Sequence, residues 1–479
     1  MKKKNGRLLV LAAALTLGLC ACGSKTGTGA QTESQTTGSS AVEGSSTAQG
    51  DMPPGGAPAD GRGGPGGAPG GSSSANISYS GAVEISAKDT QSGKTYASST
   101  SDQSALLIST ADEVTIENPT VTKSGDSDGG DNCNFYGLNA AVLAKSGATV
   151  NITGGTITSD AKGANGVFSY GGNGGQNGVS GDGTNVTIKD TKIVTSGDGS
   201  GGIMTTGGGT TKAYNLDITT NGQSSAAIRT DRGGGMVIVD GGTYTSNGLG
   251  SPAIYSTADV EVANATLTSN LSEGVCIEGL NSIKLEKCNL TANNTQRNGN
   301  ATFLDSIMIY QSMSGDANSG TSSFTMSGGS LTSKSGHVFH VTNTDAVITL
   351  SGVKIVNEDA ENILLSVCTD GWSGGKNIAT LKGSQQTLAG AIKVGSDSEL
   401  TVDLSNGSGF EGSIDGKISN AKGKAVSTEV GTVALTLDDS STWTLTGDSY
   451  VSSFTGNASN IIGNGHTLYV NGVALTGTK

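Results

Sequence analysis

Arg229, Asp231 and Glu278 are charged residues that a repeated strand pattern, developed below, carries to one outward face of the chain. Two carboxylates so placed could divide the acid and base roles in glycosidic hydrolysis, which in inverting geometry asks for about 6.5–9.5 Å between them. Asp231 and Glu278 fall two repeats apart, roughly 10 Å at the spacing of parallel strands, and no third carboxylate aligns with them. An arginine there is a poor base, because its reference pKa exceeds about 12. It serves better as an orienting donor or as the ion-pair partner of Asp231. A second cluster lies in Asp126-Ser127-Asp128-Gly129-Gly130-Asp131-Asn132. Ca2+ takes about six to eight oxygens, and Asp126, Asp128 and Asp131 with backbone carbonyls supply several, without the full EF-hand spacing or its terminal Glu.

The elements that must position these residues are read from an internal repeat. Val142-Leu143-Ala144 recurs as Val167-Phe168-Ser169, Ile203-Met204-Thr205, Ile228-Arg229-Thr230, Ile254-Tyr255-Ser256 and Val275-Cys276-Ile277. It continues as Ile307-Met308-Ile309, Val338-Phe339-His340, Leu364-Leu365-Ser366 and Ile392-Lys393-Val394, with Leu106-Leu107-Ile108 upstream. A second strand follows each segment, often closed by a small pair and a third strand, as in Val150-Asn151-Ile152-Thr153-Gly154-Gly155-Thr156-Ile157. Short strands at this spacing, separated by Gly, Asn, Asp and Ser turns, predict an all-β parallel solenoid in which each coil pairs with the next. The coil architecture resembles the right-handed parallel β-helix of the pectin-lyase-like superfamily over about residues 100–405. It predicts about eleven coils within a β-helix spanning 76–405, and a C-terminal β capping region over 406–479. The resemblance implies lyases that use a basic residue beside Ca2+ held by Asp or Glu. The group's hydrolase motif set is not found, so the resemblance speaks to fold far more than to activity.

Alternate residues of a strand face opposite ways. The phase of Val142, Ile228 and Val275 predicts the interior, since the other phase holds Arg229, Asp231 and Glu278, which are costly to bury unpaired. Ser169, Thr205, Thr230 and Ser256 then stack inside as a hydroxyl ladder. His340 falls in that inward row beside Ser366 as a core histidine, and Cys288 takes a small buried position. The outward row reads Leu143, Phe168, Met204, Arg229, Tyr255, Cys276, Met308, Phe339, Leu365, with Tyr170, Asp231, Glu278 and Tyr310 in the row beside it. An apolar stripe on one face is either covered by loops or the C-terminal segment, or it binds something. The second reading makes Phe168, Tyr170, Tyr255, Tyr310 and Trp372 stacking platforms for sugars, with Arg229, Asp231 and Glu278 orienting the ligand. Trp372 sits in Cys368-Thr369-Asp370-Gly371-Trp372-Ser373, one of three loops near this face, with Gly171–Gly175 and Gln311–Asp316.

Lys2, Lys3, Lys4 and Arg7 precede an apolar run from Leu8 to Leu19, a secretory signal over residues 1–21. Leu19-Cys20-Ala21-Cys22-Gly23-Ser24 resembles a bacterial lipobox, which implies lipidation at Cys22 and an extracytoplasmic protein anchored to a bacterial membrane. Residues 22–75 are rich in Gly, Ser and Pro and read as a flexible tether. Beyond Cys22, Cys133, Cys276, Cys288 and Cys368 have no metal-site spacing.

The chain carries a net charge of −13; residues 1–21 hold four positive charges and no acid, leaving −17 for the remainder. With no basic cluster outside the N-terminus, nucleic acid is excluded as a partner. The partners expected are a polysaccharide or cell-surface ligand and the membrane that takes the lipid. The expected function is carbohydrate binding or adhesion at the cell surface. The alternatives are a polysaccharide lyase or glycoside hydrolase and a passive structural stalk.

Overall fold

The computed structural model describes residues 77–173, 180–312, 314–372 and 375–479. The signal segment, Cys22 and the whole tether lie outside the described residues, as do Gly174, Gly175, Met313 and Ser373. Among the described residues the fold is all-β, with one short helix at Asp131–Tyr136 and one 3-10 turn at Ala458–Asn460. It is a parallel β-helix. The first sheet has thirteen strands, one per coil, running from Gly81–Ile85 to Ile414–Asp415. The two beyond the expected eleven are the end rungs, Gly81–Ile85 and Ile414–Asp415.

One column holds the coils in register. Leu106, Val142, Val167, Ile203, Ile228, Ile254 and Val275 are successive partners, followed by Ile307, Phe339, Leu365, Ile392 and Ile414. All are buried. Each fully buried aliphatic side chain contributes about 1.5–3 kcal/mol, so the column is a repeated hydrophobic term along the rod. The hydroxyl ladder is also present, each member satisfied locally. Ser169 Oγ donates to the Thr210 carbonyl at 3.2 Å, Ser256 Oγ to the Ala258 carbonyl at 2.7 Å, and Thr230 Oγ1 accepts the Thr257 amide at 2.8 Å.

The register departs from the expected alignment late in the chain. Phe339, not Val338, pairs with Ile307, and Leu365, not Leu364, pairs with Phe339. A slip of one residue exchanges the faces of a strand, so Phe339 and Leu365 point inward while His340 and Ser366 join the outward row. His340 is buried, as expected, on the opposite side of the sheet from the expected one.

The second sheet takes two strands from most coils, such as Thr149–Thr153 and Thr156–Ser159. One residue between them adopts a left-handed conformation in coil after coil: Asn118, Gly154, Asp190, Asn215, Gly241, Asn264. Asn, Asp and Gly tolerate that conformation best, which explains their recurrence in the turn. Gly155, the next residue, has φ 74° and lies so close to the coil below that a Cβ would stand 2.2 Å from the Pro119 carbonyl. Further along, Asn247 Nδ2 donates to Asn221 Oδ1 at 2.8 Å and Asn270 Nδ2 to Asn247 Oδ1 at 2.7 Å, an amide ladder along another corner.

Stacking does not stop at residue 405. Thr432–Leu437 pairs in parallel with Ser398–Ser405 and then with Ser453–Thr455, while Gly409–Gly412, Thr442–Leu445 and Ile461–Ile462 form a further parallel ladder. Trp443 is fully buried there, stacked on Phe410 at 5.4 Å. Among the described residues two antiparallel pairs occur, Ile418–Ser419 with Ala425–Ser427 and Leu468–Val470 with Val473–Ala474; the second closes the end, turning the last strand back so that the exposed edge is short.

Candidate functional site

The outward row of the first sheet is enclosed. Phe168, Tyr255, Glu278, Tyr310 and Arg229 are at most 1% exposed, and Asp231, Trp372 and Tyr170 at most 5%. The open-groove reading of these eight residues is therefore corrected, and the alternative of a covered stripe holds. Three clusters of contacts provide the cover. The helix Asp131–Tyr136 with Ile77 and Tyr79 packs on Leu143, Phe168, Tyr170 and Met204. Ala301 and Trp372 pack with Tyr255, Cys276, Met308 and Tyr310. Ile418 closes on Phe303 and Cys368. The chain enters the first contact through Gly137 (φ 76°), where a Cβ would stand 2.9 Å from the Phe168 ring. Trp372 is an anchor, its ring 4.9 Å from that of Tyr310. Tyr170 meets Tyr136 edge-on at 5.7 Å, and burial raises its phenol to about 12.

The charged residues beneath this cover are paired. Arg229 Nη2 donates to Asp231 Oδ2 at 2.9 Å, and Arg229 Nη1 donates to Asn134 Oδ1 at 3.3 Å and the Ser224 carbonyl at 3.1 Å. Burial raises the Asp231 carboxyl to about 7, with Arg229 opposing the shift. Glu278 collects hydroxyls: Tyr255 at 2.7 Å and Tyr310 at 3.2 Å on Oε2, Ser312 and, at 3.3 Å, Ser314 on Oε1. Arg232 completes the clasp, donating to Asp316 Oδ1 at 2.7 Å and standing 4.2 Å from the Phe135 ring. A buried ion pair is costly to desolvate and depends on good geometry and further hydrogen bonds; here those bonds come from the covering segments. Arg229 is joined to the helix through Asn134, Glu278 to Ser312 and Ser314, and Asp231 to Arg229, all beneath the cover.

The aspartates of the 126–132 segment do not converge, and among the described residues no group of three or more His, Cys, Asp or Glu could hold a metal ion. Asp126 Oδ1 accepts the Lys162 amide at 2.8 Å, Asp128 points outward 3.8 Å from Lys162 Nζ, and Asp131 opens the helix near Arg232. The loop run conceals a helix start, which divides the three side chains. Cys133, Cys276, Cys288 and Cys368 are buried free thiols.

The shifted register brings His340 and Ser366, neighbours in the expected inward row, together with His337 and Asp370, which sequence reasoning missed. His337, His340, Ser366 and Asp370 meet below Phe303, and His337 lines a cavity of about 320 Å³ with Phe303, Asp359 and Glu361. The signal available was His337-Val338-Phe339-His340, two imidazoles within one strand. Nearby, Asp305 and Glu273 are buried acids raised by desolvation, Asp305 also by Glu273, and neither Asp305 oxygen has a hydrogen-bond partner.

The outer face of the second sheet is a different kind of surface. Thr158, Val194, Thr219, Thr245, Thr268, Thr291 and Thr332 follow one another in register, each exposed or half-buried. Among the described residues Tyr214 is the one aromatic ring on that face. It lines a shallow cleft of about 240 Å³ with Ile238, Asp240, Glu261, Lys284 and Glu286. Comparison with protein-family models, with curated proteins and with solved structures finds no match for this chain.

Proposed function

We propose that this chain is a lipid-anchored, extracytoplasmic β-helix that binds a polysaccharide along the outer face of its second sheet. One observation carries the reading: the apolar face of the rod is sealed, and the long open face is a polar lattice with a single ring in it. Apart from Val194, hydroxyls in that row repeat about every 4.8 Å from coil to coil, and each both donates and accepts, as the hydroxyls of a sugar chain require. Tyr214 supplies an apolar plane for a sugar ring, and Asp240, Glu261 and Lys284 stand beside it to orient hydroxyls. The negative balance of the chain favours neutral glycans over acidic ones.

The test is retention of the full-length, detergent-solubilised protein on a panel of insoluble neutral polysaccharides, with Tyr214→Ala and Thr245→Lys/Thr268→Lys as variants. Retention by the wild type, weakened about tenfold in Tyr214→Ala (roughly 1.4 kcal/mol) with an unchanged melting temperature, supports the reading. Failure to retain any polysaccharide returns the protein to a passive stalk. Release of unsaturated or reducing ends returns it to the lyase or hydrolase class, for which Arg229, Asp231 and Glu278 are too deeply enclosed.

A further inference from the structure

Ser366 Oγ lies 2.7 Å from Nδ1 of His337 and 2.7 Å from Nδ1 of His340. A hydroxyl has one proton to give, so it donates to one ring and accepts from the other. The direction is set at the far end of the chain. His340 Nε2 faces Asp370 Oδ2 at 3.4 Å, with both side chains fully buried. Burial pushes the Asp370 carboxyl up, but His340 and the Thr302 amide outweigh it and hold the group below its ordinary range. A carboxylate only accepts, so it is matched by the His340 tautomer with its proton on Nε2, whose Nδ1 accepts from Ser366. Ser366 then accepts from Nδ1–H of His337, and Nε2 of His337 is left without a proton.

That bare nitrogen belongs to a residue only 5% exposed, and no described residue supplies it with a partner. His337 forms part of the wall of the 320 Å³ cavity, with Phe303, Leu304, Asp359, Glu361 and Asn420 among the other lining residues. Asp359 is held in place, its Oδ2 accepting the Gly336 amide at 2.7 Å and its Oδ1 the Glu361 amide at 2.9 Å. Glu361 is exposed at the rim. The cavity therefore presents one buried imidazole acceptor and two carboxylates, with no Lys or Arg among its lining residues. Burial, with His340 beside it, lowers the His337 imidazole to about 3, so it stays a neutral acceptor at ordinary pH. Among the described residues no three such groups gather to hold a metal ion; an ammonium has three N–H donors to offer acceptors of this kind.

We propose that this cavity binds a protonated primary amine, the ammonium donating to His337 Nε2 and to the carboxylates of Asp359 and Glu361 while Phe303 walls the attached carbon body. The volume fits one small molecule or a single terminal unit. Two sources share this chemistry, an amino sugar and a free alkyl diamine. The site belongs to the covered side of the first sheet, so it stands independently of the glycan face on the second.

The experiment is calorimetric titration of the full-length protein with glucosamine, N-acetylglucosamine, glucose and 1,4-diaminobutane. It is joined by imidazole 15N chemical shifts of the wild type and of Ser366→Ala, which report the protonated nitrogen of each ring. Saturable binding of glucosamine, at least tenfold tighter than of N-acetylglucosamine and glucose, supports the proposal and assigns an amino sugar. Binding of 1,4-diaminobutane alone supports the ammonium site and assigns a free amine. Glu361→Gln, at an exposed position that leaves folding intact, weakens either amine about fivefold or more, and amine binding moves the Nε2 resonance of His337. Equal binding of glucose and glucosamine, no saturable binding of either amine, or a wild-type Nε2 of His337 that carries a proton overturns the proposal.

Discussion

Replacing Glu278 by Leu tests whether the cover is held by its polar clasp or by apolar packing alone. Glu278 is fully buried and accepts the hydroxyls of Tyr255, Tyr310, Ser312 and Ser314. Without it, Ser312 and Ser314 retain each other, their hydroxyls standing 2.7 Å apart. The two tyrosine hydroxyls have no such recourse. A stranded buried donor costs about 1–3 kcal/mol, so the pair amounts to about 2–6 kcal/mol. Removing a carboxylate whose own burial raises its pKa recovers part of this, and we expect a net loss of about 2–4 kcal/mol. The triple variant Glu278→Leu/Tyr255→Phe/Tyr310→Phe removes donors and acceptor together and recovers most of the loss, since deleting both partners is close to neutral. Denaturant unfolding measures the total. Because a solenoid unfolds in parts, hydrogen exchange at Ser314–Asp316 localises it, rising in the single variant and returning in the triple. A single variant within 0.5 kcal/mol of wild type, or a triple as unstable as the single, would refute the clasp.

Three further outcomes are expected. Ile254→Ala opens a void in the fully buried column between Ile228 and Val275 and lowers stability by about 2–5 kcal/mol, read by denaturant unfolding; a change below 0.5 kcal/mol would place Ile254 outside the column. Asp305 is held well above its ordinary pKa by burial and by Glu273, so its contribution to stability is complete below about pH 4 and is lost as pH rises through the folded value. Asp305→Asn should therefore flatten the fall in melting temperature between acid and alkaline pH, and an unchanged slope counts against an ionising Asp305. Cys22→Ser should move the protein from the membrane fraction to the medium, and retention with Cys20 intact would defeat lipidation at Cys22.

The coil and its inward column were legible because they are periodic. Ile203, Ile228, Ile254 and Val275 each follow a Gly or an Ala, and the charge of Arg229 fixes which phase faces out, so the alternation has one solution. At Val338-Phe339 and Leu364-Leu365 two apolar residues are adjacent, and local alternation admits two registers one residue apart. The pairing of Phe339 with Ile307 and Leu365 is settled by the neighbouring coils, and it moves His340 and Ser366 to the face where they meet His337 and Asp370.

The sequence by itself determined the strands, the turns at Gly, Asn, Asp and Ser, the stacking of coils, and the presence of one unusually apolar outward stripe. Only the tertiary structure decided that the stripe is closed. The cover comes from segments without any repeat, and its contacts join distant positions: Arg229 reaches Asn134 across 95 residues, and Arg232 reaches Asp316 across 84. Backbone geometry makes a strand's alternation a local property, written every second residue. Burial of Arg229, Asp231 and Glu278 depends instead on which remote loops supply donors, carbonyls and rings to outweigh desolvation, and no spacing along the chain records that meeting.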